Sequence, residues 1–293
     1  MSSFWFVFCP QELLLQQLPD GTYTIPFQEE PPTAIKSWTV IHDIAPMADG
    51  TPVKTYRIDL TATHSTQHPQ PTPTSSQKGR EHGELSNLPS FGKIEGNIEN
   101  RGILLLSPLR PSFYKLPMPL YLKAGKCQEI LYWDDNSKFC GVCGAPMKLH
   151  TNISKRCTQC GKEVWPQLAT AVIVLIHRDD EILMVRARNF RGDFYGLVAG
   201  FVETGETLEE AVLREVMEET GLTIRNIRYF ASQPWPYPCG LMVGFNADYK
   251  SGSIHLQQEE IANAGWFRRD NLPTLPEKLS IARRLVDDWL ENG

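Results

Sequence analysis

The sequence predicts an α+β protein, and three observations carry that expectation. Short runs of β-branched and aromatic residues recur along both halves of the 293-residue chain. One strongly marked helix stands in the C-terminal half, and an amphipathic helix closes the chain. Two tight cysteine pairs lie between the halves. The C-terminal half therefore reads as mixed strands around a few helices, α+β or an α/β/α sandwich. The expected boundaries are 1–126 for a β-rich N-terminal domain, 127–166 for a cysteine-rich ribbon and 167–293 for the C-terminal domain.

Composition narrows the class. At 41% hydrophobic and 22% charged residues, the chain has the balance of a soluble globular protein. No apolar run reaches membrane-spanning length, and Phe4–Cys9 is too short for a signal core and has no basic residues before it. A soluble, cytoplasmic protein without membrane partners is expected. The net charge of −5 offers no general attraction to nucleic acid or to an anionic membrane. A phosphate-bearing ligand would then need local basic residues or metal ions. Seven cysteines, an odd count with two tight pairs, fit a reducing compartment better than a disulfide framework.

Element by element, the first 60 residues suggest short strands, including Trp38–His42 and Thr55–Leu60. From about Thr61 to Gly92 the chain is polar and proline-rich, the composition of an exposed loop. Strand-like patterning resumes at Gly102 and runs toward Tyr132. Thr170–Ile176 and Ile182–Arg186 read as a hairpin around His177–Glu181. Further strands are expected at Ile224–Ala231, Leu241–Tyr249 and Gly265–Arg268. Ile281, Leu285 and Trp289 form one apolar stripe on the last helix.

Cys140 and Cys143, then Cys157 and Cys160, form C-x2-C…C-x2-C with 13 residues between the pairs. Two-residue spacing lets both thiolates of a pair turn onto one ion, and Gly141, Gly144 and Gly161 permit the tight backbone. Four sulfurs fill a tetrahedral Zn²⁺ site, which makes the site structural and not catalytic. Free thiols, a redox pair or disulfides are the alternatives. His177 and His255 have no convincing partners and read as surface or structural residues, and Cys9, Cys127 and Cys239 as inert thiols.

The segment GFVETGETLEEAVLREVMEETGL, residues 200–222, carries the chemistry. Thr207 and Glu210 form a capping box and Gly221 is placed to stop the helix, which should run from Leu208 to Thr220. At about 100° per residue, Glu215, Glu218 and Glu219 share one arc with Leu208 and Ala211, so the apolar face turns acidic without changing direction. Carboxylates at that spacing repel by roughly 3 kcal/mol a pair before screening. A divalent cation such as Mg²⁺ or Mn²⁺ would relieve that repulsion. A merely solvated acidic face is the alternative.

These residues match the Nudix box, G-x5-E-x7-R-E-U-x-E-E-x-G-U, at every fixed position: Gly200, Glu206, Arg214, Glu215, Val216, Glu218, Glu219, Gly221 and Leu222. The chain thus resembles the Nudix hydrolases. The resemblance implies that a loop–helix–loop holds divalent metal against a pyrophosphate. Glu215 and Glu219 are then the metal ligands, with the backbone carbonyl of Ala199, and Glu218 a further ligand or base. Arg214 pairs with Glu206 and orients the cluster.

Ten residues on, Ser232–Met242 resembles the SQPWPFPxS signature of the NADH pyrophosphatase family, which also carries a four-cysteine zinc module ahead of the box. Tyr237 stands in place of Phe, and Gly240 in place of the final Ser, which should loosen that loop. The resemblance implies cleavage of the pyrophosphate of NAD(H) to AMP and nicotinamide mononucleotide, removal of NAD caps from RNA by the same bond cleavage, and a homodimer. It assigns Gln233, Pro234, Trp235, Pro236, Tyr237, Pro238, Cys239 and Gly240 to the substrate loop. It places Trp165 and Phe201 against a nicotinamide ring, the backbone of Ala282 near the ligand, and Glu260 among the metal ligands. Trp165 and Phe201 could equally be core residues, and Glu259–Glu260 a solvated pair. The alternative function is a non-catalytic, nucleotide-sensing Nudix regulator that uses its zinc ribbon as an interaction module.

Overall fold

In the computed structural model, which describes residues 1–58, 102–189 and 192–292, the chain divides into two units, Met1–Trp165 and Pro166–Gly293. The polar stretch 61–92 lies outside the described residues. No helix among the described residues is long and apolar enough to cross a membrane.

The first unit opens with β1 (Ser3–Cys9) and β2 (Glu12–Gln17), a nearly all-buried antiparallel pair. Short strands β3 (Tyr23–Thr24), β4 (Phe27–Gln28) and β5 (His42–Ile44) follow, then β6 (Val53–Arg57) and β7 (Ile103–Pro108). They assemble in the order β3-β2-β1-β6-β5, with β4 beside β1 and β7 beside β2. Trp5, Val7, Leu14, Tyr56, Leu104 and Leu106 form the core of this β-rich sheet.

Two expectations are corrected here. Residues Met118–Asn136 are helix α1, not a continuation of strand patterning toward Tyr132. Pro117 at its N-cap and Pro119 in its first turn suit a helix start, where their missing N–H groups leave no intrahelical bond unmade. Leu120, Ala124, Cys127 and Leu131 recur at helical spacing, but burial on several sides masks that period in the sequence. The helix contacts β1 and β6, so a boundary at 126/127 would cut through an element that belongs with the N-terminal sheet. Trp38 to Ile41 is likewise not strand. The Thr39 N–H donates to the Lys36 carbonyl at 2.9 Å, closing a turn, and Trp38 is exposed.

The cysteine-rich ribbon is a separate three-stranded antiparallel sheet of β8 (Met147–Thr151), β9 (Ser154–Cys157) and β10 (Glu163–Val164).

The second unit is built on β11 (Ala169–Arg178), whose apolar residues alternate between two layers. Its neighbours are β12 (Glu181–Ala187) and β13 (Val198–Phe201). The helix α2 (Leu208–Thr220) comes next, then β14 (Thr223–Trp235), β15 (Gly240–Ser251), β16 (Ile261–Arg268) and α3 (Ile281–Asn292). The sheet order is β14-β15-β11-β12-β16, with β13 on β11. The β11–β15 pair is parallel and its other pairs are antiparallel, so the sheet is mixed. Val172, Val174 and Ile176 point to the layer of α2, with Ala211, Val212 and Val216. Ile173 and Leu175 point to the layer of α3, with Ile281, Leu285 and Trp289. A strand's period of two thus feeds helices on both faces, which makes an α/β/α sandwich.

Candidate functional site

Helix α2 has the bounds its caps dictate. Thr207 and Glu210 make a reciprocal capping box, and Gly221 closes the helix at φ 70°, donating to the Met217 carbonyl at 2.9 Å. Its apolar residues dock on the sheet, and that docking carries the neighbouring glutamates inward. Glu219 is 5% exposed. Glu215 is largely buried and Glu218 is the exposed member of the three.

Arg214 ties the cluster together. Its Nε donates to Glu206 Oε1 at 2.5 Å and its Nη2 to Glu206 Oε2 at 2.9 Å, a bidentate pair. Nη1 reaches Glu215 Oε1 at 2.8 Å and Glu218 Oε2 at 3.1 Å, and Nη2 also donates to the Phe201 carbonyl at 2.9 Å. The guanidinium bonds hold the Glu206 carboxyl down at about 2. Those bonds, led by the pair with Glu206, hold the Arg214 guanidinium above its ordinary value. Gly200 on β13 leaves room for this arrangement, because a Cβ there would stand 2.0 Å from the Glu215 carboxyl.

Glu219 has no such cation among the described residues. Burial first, then the carboxylates of Glu215, Glu260 and Glu218, push it up to about 8. Its Oε2 is buried and accepts no hydrogen bond among the described residues. A buried oxygen idle among like charges is the donor set that a hard divalent cation completes, so the residues present fit Mg²⁺ or Mn²⁺.

A cavity of about 280 Å³ opens at this point, lined by Glu219, Glu259, Glu260, Ala199 and Arg188. A second cavity, of about 250 Å³, is lined by Phe201, Trp235, Tyr237, Pro238, Cys239 and Gly240. Ala199 lines both. The indole of Trp235 and the ring of Tyr237 meet edge to face, centroids 5.1 Å apart.

Not every expected residue of the substrate loop lines these cavities. Gln233 turns its amide to the Leu279 carbonyl at 2.7 Å, tying β14 to the segment before α3. Pro236 is buried, Pro234 is exposed, and neither lines the aromatic cavity. Ala282 is buried in the α3 core, and Trp165 lies in the first unit, half exposed. Gly240 does not loosen its loop. It is paired with Trp235 on one side and Ala169 on the other, and a Cβ there would meet the Trp235 carbonyl oxygen at 3.0 Å. Arg188 carries no signal in the sequence. Its N–H donates to the Glu260 carbonyl at 2.8 Å and its Nε to the Gln258 carbonyl, fixing the turn that presents Glu260. A lone arginine after a strand gives no local pattern that would single it out.

The ribbon forms the other metal site. Its four cysteine sulfurs lie within 4.8 Å of one another, with Cys140 to Cys160 at 3.6 Å and Cys143 to Cys157 at 3.4 Å. Tetrahedral Zn–S bonds of about 2.3 Å require sulfurs roughly 3.8 Å apart, so the cluster fits Zn²⁺. Backbone N–H groups of Val142, Gln159 and Cys160 point at the Cys140 and Cys157 sulfurs and favour the thiolate form of both. Gly144 and Gly161 supply the left-handed turns, each at φ 75°.

The sandwich, the carboxylate helix and the four-sulfur ribbon together define a metal-dependent hydrolase of the Nudix type. Residues 166–290 match the NUDIX domain, and residues 135–164 match the NADH pyrophosphatase zinc ribbon domain. A relative from Shigella dysenteriae serotype 1 (strain Sd197), named NAD-capped RNA hydrolase NudC, is 45% identical over 174 residues, 59% of this chain and 68% of its own length. The protein of the same name from Photorhabdus laumondii is 46% identical over 174 residues, 58% of this chain and 67% of its own. A NUDIX hydrolase crystal structure from Nitrosomonas europaea is similar at a TM-score of 0.46 and 22% identity, over 53% of this chain and 92% of that one. The chain belongs to the NADH pyrophosphatase family of Nudix hydrolases, that of the NAD-capped RNA hydrolases, with a zinc ribbon and a divalent-metal site.

Proposed function

We propose that this chain hydrolyses the pyrophosphate bond of NAD(H), giving AMP and nicotinamide mononucleotide, and that the same cleavage removes NAD caps from RNA. The observation that carries this reading is the pair of adjoining cavities, one carboxylate-lined and one aromatic, that share Ala199. A diphosphate beside the carboxylates would leave a flat ring within reach of Phe201, Trp235 and Tyr237. The relatives' name, NAD-capped RNA hydrolase, supports the substrate class.

Glu215, Glu219, Glu260 and the Ala199 carbonyl are the proposed holders of Mg²⁺ or Mn²⁺. Bound there, such a cation supplies the positive charge that a diphosphate needs as water attacks phosphorus. The protein's own groups do the rest. Arg214 fixes Glu206, Glu215 and Glu218 in one array, and Arg188 sets the turn of Glu260. Glu218, Glu219 or Glu260 accepts the proton of the attacking water. The zinc ribbon is structural. The resemblance supports a cytoplasmic homodimer, which light scattering in solution would test. The intact carboxylate array disfavours a non-catalytic regulator, for which it would have no use.

Turnover on NADH, NAD⁺, Ap4A, ADP-ribose and FAD, with and without Mg²⁺ or Mn²⁺, tests the reading. NADH should yield AMP and the reduced mononucleotide only with the divalent ion. Glu219→Gln and Glu215→Gln should each lower turnover by about 100-fold or more with the fold retained. Near wild-type rates in both variants would overturn the site assignment, and no divalent-dependent product from any substrate would overturn the function.

A further inference from the structure

We infer that the first unit carries a second small-molecule site, shaped for an anion that bears a flat heteroaromatic ring, the chemistry of a nucleoside monophosphate. It lies in a cavity of about 270 Å³ between the turn before β5, the end of β6 and the last turns of α1. That volume suits a mononucleotide and is small for a dinucleotide. The inference does not rest on the proposed hydrolysis.

The first observation is His42, which lines the cavity and is 2% exposed. Its Nε2 faces the Asp134 carboxylate, 3.6 Å from Oδ2, while Nδ1 makes no hydrogen bond among the described residues. An imidazole carries a donor on at least one nitrogen, and buried polar groups are nearly always partnered. A buried ring with Nδ1 idle at a cavity wall is placed to meet a polar group that enters from the cavity.

Charge gives the second observation. Both carboxylates of the wall are already engaged. Asp134 Oδ1 is 2.7 Å from Lys155 Nζ, and Asp135 is 3.0 Å from Arg57 Nε and 3.2 Å from Lys138 Nζ. Lys36, also in the wall, makes no ion pair among the described residues. Three lining cations, Lys36, Arg57 and Lys138, therefore face two carboxylates, and the cavity keeps a net positive charge. An anion is favoured.

The third is Trp38. Its indole lines the same cavity at 71% exposure, with the Lys36 ammonium 5.3 Å from its ring centroid. A large aromatic left open to solvent gains by stacking a planar ring, and the adjacent ammonium sets an anion beside that ring. Phosphate alone would not use the indole, and a neutral nucleoside would not use the lysine.

The test is binding to the full chain, in buffer without Mg²⁺ or Mn²⁺, with AMP, adenosine and inorganic phosphate as probes. Equilibrium dialysis gives affinity, and ¹⁵N-histidine spectra, assigned with His42→Gln, report on the His42 ring. AMP should move the His42 nitrogen resonances and bind at least about tenfold more tightly than either half-ligand. Lys36→Glu and Trp38→Ala, both exposed positions, should each weaken that response about tenfold while circular dichroism and NADH turnover stay at wild-type values. A His42 ring indifferent to AMP, or an AMP response unchanged in both variants, would overturn the inference. Equal affinity for adenosine would remove its anionic half, and equal affinity for phosphate its aromatic half.

Discussion

A Cβ placed on Gly200 would overlap the Glu215 carboxyl, yet that carboxyl is the far end of a flexible side chain. Gly200→Ala should therefore leave the sandwich folded and push Glu215 off its bond to Arg214. A displacement of about 1 Å at a catalytic array can cost roughly 100-fold in rate. Steady-state turnover beside a thermal melt checks this, and wild-type turnover in the Gly200→Ala enzyme would show that the seat of Glu215 is not critical. At this scale the sequence is legible where spacing determines chemistry: Glu206, Arg214, Glu215 and Glu219 meet because box loop and helix face dictate it. It is not legible where a side chain's partner lies far along the chain. Gln233 turns to Leu279, 46 positions away, and Arg188 to Gln258, 70 away, and no local pattern encodes either.

Among the elements, α2 is readable to the residue because capping box and C-terminal glycine are local signals. Helix α1 is not, because its polar face is narrow and Leu, Tyr and Ile run through it at mixed spacing. Its far end is locked to β9 of the ribbon. Lys155, 4% exposed, donates from Nζ to the Asp134 carbonyl at 2.8 Å and pairs with Asp134 Oδ1 at 2.7 Å. Burial pushes the Asp134 carboxyl up, but His42 and Lys155 prevail and hold it at about 2, below its ordinary 3.8. A carboxyl lowered on folding contributes stability that is present above its unfolded value and lost as pH falls through the folded one. The shift corresponds to about 2 kcal/mol. Asp134→Asn should thus be less stable than wild type by about that amount or more near pH 6. The gap should narrow between about pH 4 and pH 2, where wild type is itself protonated. Chemical denaturation at stepped pH measures the difference, and a gap that holds constant down to pH 3 would show that the Asp134–Lys155 pair does not carry this stability.

For the whole molecule, 34 acidic residues outnumber 29 basic ones, a balance legible in the composition alone. A chain with net charge −5 cannot gather RNA by long-range attraction, so any contact with the strand beyond its cap must come from local cations. The sequence does not show where those cations collect, because their positions depend on how distant segments pack. Salt separates the two parts of an NAD-capped RNA. Hydrolysis of NADH engages only the dinucleotide and sets the baseline slope of kcat/KM against salt. If the body of the RNA is held through two neutralised phosphates, single-stranded counterion release adds a slope of about −1.4. That is roughly a sevenfold further loss between about 50 and about 200 mM salt. We expect NAD-capped RNA to show this extra loss at sub-saturating concentration while NADH does not. Identical slopes for the two substrates would mean that the protein grips the cap alone, with the rest of the strand left in solvent.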